Sequence, residues 1–219
     1  MTDSIAELDQ LRSGHAIVDR SDRGFVLVSG PDAFSFLQAL VSADLDPVAD
    51  GEGVTSLLLH PQGKLDVAFR LVKVGDDAWL DTDPGFAPQL VASLERFKIR
   101  VDAQVTDRSD DWGLLTLMGA DLPPASRGSV RVVETSSGVD VIGPRAEIDS
   151  LRDELIGQGI TSVGAAAREA FRIEQGVPVQ PADIDDSTIP QEAELELDAV
   201  SFTKGCFIGQ ELVCRIDSR

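Results

Sequence analysis

Basic residues are scarce in this sequence: Lys and Arg number 19 of 219 residues against 38 Asp and Glu, a formal charge of −19 at pH 7. Such a balance repels phosphate backbones and anionic bilayer surfaces, so direct binding to duplex nucleic acid is not expected. Cysteine and histidine are scarcer still, at two each. His15 and His60 lie far apart and only seven residues separate Cys206 from Cys214, so no C-x-x-C, H-E-x-x-H or zinc-ribbon spacing exists and no metal site is expected. The G-x-S-x-G elbow, the phosphate loop and the G-x-G-x-x-G fingerprint are also missing, which leaves hydrolase, ATPase and dinucleotide readings without a carrier. No apolar run approaches the roughly 20 residues that span a bilayer. The opening Met1-Thr2-Asp3-Ser4 carries no leader pattern and neither terminus carries a lipidation signal, so the expected compartment is the cytoplasm.

What is present suits a folded globular chain. Apolar residues make up 42% and charged residues 26%, enough burial to drive folding without disulfide or metal staples. The length predicts one or two packed lobes, with no repeat, low-complexity tract or Gly/Ser linker to cut them apart. Residues 1–13 read as a short helix or a surface arm. Gly24–Val28 reads as a strand, followed by a helix on which Ala33, Phe36, Leu37, Leu40 and Val41 recur at helical spacing. Val54–Leu59 and Leu65–Val74 read as a hairpin across His60-Pro61-Gln62-Gly63, with Leu65, Val67, Phe69 and Leu71 on one face. A short strand follows Gly75-Asp76-Asp77, then a helix between Pro84 and Lys98, then a strand over Arg100–Val105. Trp112–Met118 is a further strand, and Ser129–Glu134 with Val139–Ile142 predicts a second hairpin across Ser136-Ser137-Gly138. A helix over Glu147–Ile156 and another from Ser162 through Ile173 complete an α+β pattern.

Residues 177–200 are Pro-rich and acidic and read as a surface loop, a common place for binding residues. After them comes Lys204-Gly205-Cys206-Phe207-Ile208-Gly209-Gln210-Glu211. Gly205 and Gly209 permit tight turns, and Gly209–Cys214 can begin a helix. A lysine near a helix N-terminus makes an electropositive spot that could hold an anion or activate Cys206. A turn that merely packs Cys206 into the core fits the same residues.

The octapeptide resembles the K-G-C-[FY]-x-G-Q-E signature of the YgfZ family, folate-binding relatives of the glycine-cleavage aminomethyltransferase. Phe171-Arg172-Ile173-Glu174-Gln175-Gly176 resembles that superfamily's R-[IL]-E-x-G segment, and Asp183 to Glu192 resembles its D-I-D-x-x-T-x-P-x-E stretch. Val28 to Gln38 and Leu57 to Lys64 resemble its first strand and helix and its next hairpin. The resemblance implies an aminomethyltransferase-like folate-binding fold of two interleaved mixed α/β lobes with antiparallel sheets. After the arm at 1–13, the lobes are expected over about 14–49 plus 111–200 and about 50–110 plus 201–219. It implies that Glu192 grips the pterin of tetrahydrofolate or a derivative, with Arg172, Gln191, Lys204 and Cys206 also candidates for that site. Cys206, with Lys204, is the candidate reactive thiol.

The same resemblance marks a departure. The aminomethyltransferases carry an acidic pair after the hairpin glycine, one member being the catalytic carboxylate; the matching positions here are Val67 and Ala68. Asp66 is adjacent, but a one-residue shift along a strand turns a side chain to the other face. The expected role is therefore a folate-binding accessory protein supporting iron–sulfur cluster assembly or repair, and through such enzymes tRNA modification. Its expected partners are iron–sulfur client or assembly proteins. A folate-dependent aminomethyl or one-carbon transferase or demethylase using Asp66, and a pure interaction module, are the alternatives. Family members continue past the octapeptide into a C-terminal β-barrel domain, which a chain stopping at Arg219 is expected to lack.

Overall fold

The computed structural model describes residues 2–119, 129–135 and 138–217. In chain order the elements are α1 (Thr2–Ser13), β1 (Ala16–Asp19), β2 (Gly24–Ser29), α2 (Ala33–Leu40), β3 (Gly53–Leu59), β4 (Leu65–Val74), β5 (Asp77–Thr82), α3 (Ala87–Phe97) and β6 (Gln104–Asp107). Then follow β7 (Trp112–Met118), β8 (Arg131–Thr135), β9 (Gly138–Pro144), α4 (Arg145–Gly157), β10 (Thr161–Ser162), α5 (Ala165–Glu174), a 3₁₀ turn (Pro190–Ala193), α6 (Glu196–Ala199) and α7 (Gln210–Asp217).

The chain divides into two compact units, Met1–Arg23 with Ser109–Pro178 and Gly24–Arg108 with Val179–Arg219. In the first, a sheet of order β10-β1-β7-β9-β8 is antiparallel except where β10 runs parallel to β1. Ile148 and Leu155 of α4 pack with Ile17, Leu115, Leu117 and Val141, while Leu11 of α1 and Ala167 of α5 pack with Ala16, Val18 and Met118. Alternate strand residues thus feed two separate apolar layers, as the two-residue period of a strand requires.

The second unit is built on an antiparallel sheet of order β3-β4-β5-β2-β6. Val26, Val28, Leu58, Val67, Phe69, Leu71 and Leu80 pack on one face beneath Phe36 and Leu37 of α2 and Leu90 and Leu94 of α3. Leu57, Leu59 and Leu65 pack on the other against Ile184, Ala199, Phe207 and Val213, from the loop, α6, the octapeptide and α7. The signature turn and the acidic loop therefore cover one face of a single sheet.

The division differs from the expected lobes. Residues 24–49 and 179–200 belong with the β3–β4 hairpin, because β2 is bonded to β5 and β6 inside that sheet and Ile184 and Ala199 complete its core. Three local readings also change. Ser162 lies in β10, paired with Ile17, and α5 starts at Ala165. The last strand of the second sheet is Gln104–Asp107; Arg100 sits at φ 59, in the left-handed region, which interrupts an extended run. The stretch read as one surface loop contains the 3₁₀ turn and α6. Of the hairpin β8–β9, Ser136 and Ser137 lie outside the described residues, as do Ser218 and Arg219.

Candidate functional site

The β3–β4 hairpin carries a bulge. Leu58 pairs with Val67 but Leu59 pairs with Leu65, so Asp66 is an extra residue without a partner. A bulge resets the alternation of side chains. Leu65 consequently joins Leu57 and Leu59 on one face, not Val67 and Phe69 as the simple period predicts, and Asp66 turns with Val67 toward α3. There Asp66 is only 5% exposed. Its Oδ1 accepts from Gln89 Nε2 at 2.7 Å and its Oδ2 from Ser93 Oγ at 2.6 Å. Ser93 is itself buried, and the His60 ring stands 3.9 Å away.

The backbone left unpaired by the bulge is closed by Gln180, a residue that no sequence pattern singled out. Its Nε2 donates to the Asp66 carbonyl at 3.2 Å and its Oε1 accepts from Ala68 N at 2.8 Å. Its own N–H donates to Asp83 Oδ2 at 2.8 Å. Buried backbone groups must be paired, and one amide side chain here does what a strand would do. Val67 is fully buried and Ala68 presents only a methyl group, so the two positions matching the acidic pair hold no ionisable group.

In the octapeptide, Phe207 is core and Ile208 packs on the opposite cluster. Gly209 has φ 81, and a Cβ there would stand 2.6 Å from the His60 carbonyl and 3.0 Å from Gly63 Cα. The hairpin turn thus rests directly on this glycine, whereas a Cβ on Gly205 would meet nothing within 4 Å. The Lys204 ammonium donates to the carbonyls of Gln38, Val41 and Ala43 at 2.8, 2.8 and 2.7 Å. Gln38 O lies in the last turn of α2, and the N–H of Ser42, four residues on, bonds to Leu57 instead. Lys204 therefore satisfies orphaned carbonyls at a helix C-terminus. Burial pushes this ammonium down to about 8, with the carboxylates of Asp44 and Asp46 pulling it back up. The Cys206 thiol is free and exposed, in the turn that precedes α7.

Glu192 lies in the 3₁₀ turn and is exposed. Its Oε2 accepts from Ile189 N at 2.8 Å, which holds the carboxylate in place, and its Oε1 meets no donor among the described residues. Next to it Gln191 donates from Nε2 to the Val213 carbonyl at 2.9 Å, while its buried Oε1 has no partner among the described residues. Arg172 belongs to the first unit, where its guanidinium donates to Glu169 and to the Val177 carbonyl just past α5. Of the expected site residues, then, Lys204 with Cys206 and Gln191 with Glu192 form two pairs in the second unit.

A family model described as GCVT N-terminal domain matches residues 1–141. The chain belongs to this family. Among curated relatives of the GCVT-domain chain, the mitochondrial iron-sulfur cluster assembly factor IBA57 homolog of Mycosarcoma maydis is 31% identical over 98% of this chain and 57% of its own length. The aminomethyltransferase of Chlorobium phaeovibrioides is 30% identical over 96% of this chain and 66% of its length. The tRNA-modifying protein YgfZ of Colwellia psychrerythraea is 25% identical over 91% and 67%. The GCVT-domain chain thus spans about three fifths to two thirds of the relatives it matches. A solved structure of the glycine cleavage aminomethyltransferase T of Bartonella henselae superposes with a TM-score of 0.81 at 23% identity, covering 97% of this chain and 66% of that one, which shows the fold. No helix among the described residues is long and apolar enough to cross a membrane.

Proposed function

We propose that this GCVT-domain protein is a tetrahydrofolate-binding accessory factor for iron–sulfur cluster assembly or repair, acting through iron–sulfur enzymes on tRNA modification, and not an aminomethyltransferase. The observation that carries the proposal is the state of the acidic position. Val67 is core, Ala68 is a methyl group, and both oxygens of Asp66 are held by α3, so no carboxylate is free there to take a proton from an amine. The iron-sulfur cluster assembly relative from Mycosarcoma maydis and the tRNA-modifying relative from Colwellia psychrerythraea point the same way.

Folate suits the acceptors that remain. The edge of an aminopyrimidinone ring offers two parallel N–H donors, and the exposed Glu192 carboxylate, with Oε1 uncommitted and a lone pair left on the Oε2 that takes Ile189 N–H, supplies acceptors for them. The proposal places Glu192 on the pterin, with Gln191 fixing its turn to α7 through the Val213 carbonyl, and leaves Lys204 as a brace for the Cys206 turn. It also places the protein in the cytoplasm, where structural disulfides are rare. Its partners are the iron–sulfur client or assembly proteins.

The competing reading, a transferase, rests on the aminomethyltransferase relative at 30% identity. Methylenetetrahydrofolate formation from an aminomethyl donor separates the two. Saturable folate binding without turnover is expected, and turnover abolished by Asp66→Asn would replace the accessory role with catalysis.

A further inference from the structure

Within the second unit a cavity of about 490 Å³ opens between α2 and the signature turn, lined by Phe34, Gln38, Leu45, Lys73, Lys204 and Cys206 among others. That volume lies in the range of small-molecule sites. Its lining brings a free thiol and two ammonium groups together. The Cys206 thiol is exposed. The N–H groups of Gly205 and Cys206 meet no acceptor among the described residues. The Lys73 ammonium donates to the Val48 carbonyl at 3.1 Å and stands 5.0 Å from the centre of the Phe34 ring. Both lysines are thus held at the cavity by neutral groups, against one lining carboxylate, Asp46. Asp44 stands behind it, taken up by Gln38 Nε2 at 2.7 Å and the Asp46 N–H at 3.2 Å.

We propose that this cavity binds a small disulfide bearing carboxylates and delivers it to Cys206 for reversible thiolation. The Cys206 thiolate, its proton lost to water, attacks one sulfur; a new S–S bond forms, the old one breaks, and the second half leaves with the electron pair as a thiolate. The carboxylates take the free N–H groups of the turn and the field of Lys73 and Lys204, and the aliphatic part lies on Phe34 and Leu45. Cys214, half-buried on α7, lines no part of this cavity and is the internal reference.

The whole chain carries −19 and attracts cations at long range, so preference for an anionic disulfide at Cys206 can only come from the cavity. The test compares oxidised glutathione, which is anionic, with cystamine, which is cationic, by intact mass and peptide mapping of the folded protein. Cys206 is expected to react at least about threefold faster with glutathione disulfide once each rate is scaled to that of Cys214, and Lys73→Gln is expected to reduce that ratio toward one. A second variant, Phe34→Ala, should slow glutathione transfer without raising the cystamine rate. Equal or faster reaction with cystamine, or a ratio unmoved by Lys73→Gln in a protein of unchanged circular dichroism, overturns the proposal. Neither result depends on folate, so the accessory-factor reading stands or falls separately.

Discussion

Asp66 and Glu192 are both carboxylates beside elements that cover the same sheet, yet the hairpin and the acidic loop use them in opposite ways. The bulge turns Asp66 under α3, where Gln89 and Ser93 consume both oxygens at 5% exposure. The 3₁₀ turn holds Glu192 outward by one oxygen and leaves the other open. A buried carboxylate with its acceptors filled is a fastener, and an exposed one fixed by its own backbone is a ready binding group. The difference lies in what the neighbouring backbone leaves free.

The largest expected effect is at the fastener. Asp66→Ala leaves the buried Ser93 hydroxyl without its acceptor and breaks the Gln89 bond, and should cost about 3 kcal/mol in urea unfolding; Asp66→Leu leaves the same hydroxyl unpaired and should cost as much or more. An effect below about 1 kcal/mol would mean that α3 does not depend on this carboxylate. Next is Gly209→Ala, which forces a side chain into the left-handed region against the His60 carbonyl and should cost about 2 kcal/mol by the same measurement. Glu192→Ala loses only the cap on Ile189 and should cost about 0.5–1 kcal/mol. A cost equal to that of Asp66→Ala would erase the contrast between the two regions.

The smallest effect is electrostatic. The Lys204 value is depressed by burial from 10.5 to about 8, so between those values the unfolded chain binds more protons than the folded one. Stability from this group therefore rises as pH increases from about 8 to about 10.5 and is flat below and above. Subtracting the pH profile of Lys204→Met from that of the wild type isolates it; a difference that falls with pH over that window would show that the carbonyls of α2 favour the charged form.

Much of the architecture was legible because burial follows period. Trp112–Met118 reads directly as a strand, and Phe86, Leu90 and Leu94 mark the buried side of α3. The bulge was not legible, since Leu65 and Val67 fit a two-residue period and only pairing with β3 shows that Asp66 is extra. Unit membership failed for the same reason: Gly24–Val28 reads as a strand, but nothing in those residues says that β5 and β6 flank it. Glu192 was reached only through its likeness to a known stretch. Gln180 lay unmarked in a Pro-rich segment because its amide answers to two backbone groups more than 110 residues away.

The central claim, that the ligand meets Glu192 and not Asp66, is tested most directly by titrating tetrahydrofolate into wild type and Glu192→Gln. The amide keeps an oxygen for the Ile189 cap but cannot accept two parallel N–H bonds, so saturable wild-type binding should weaken at least about tenfold while unfolding by urea is unchanged. Equal affinity in the two proteins would contradict the assignment.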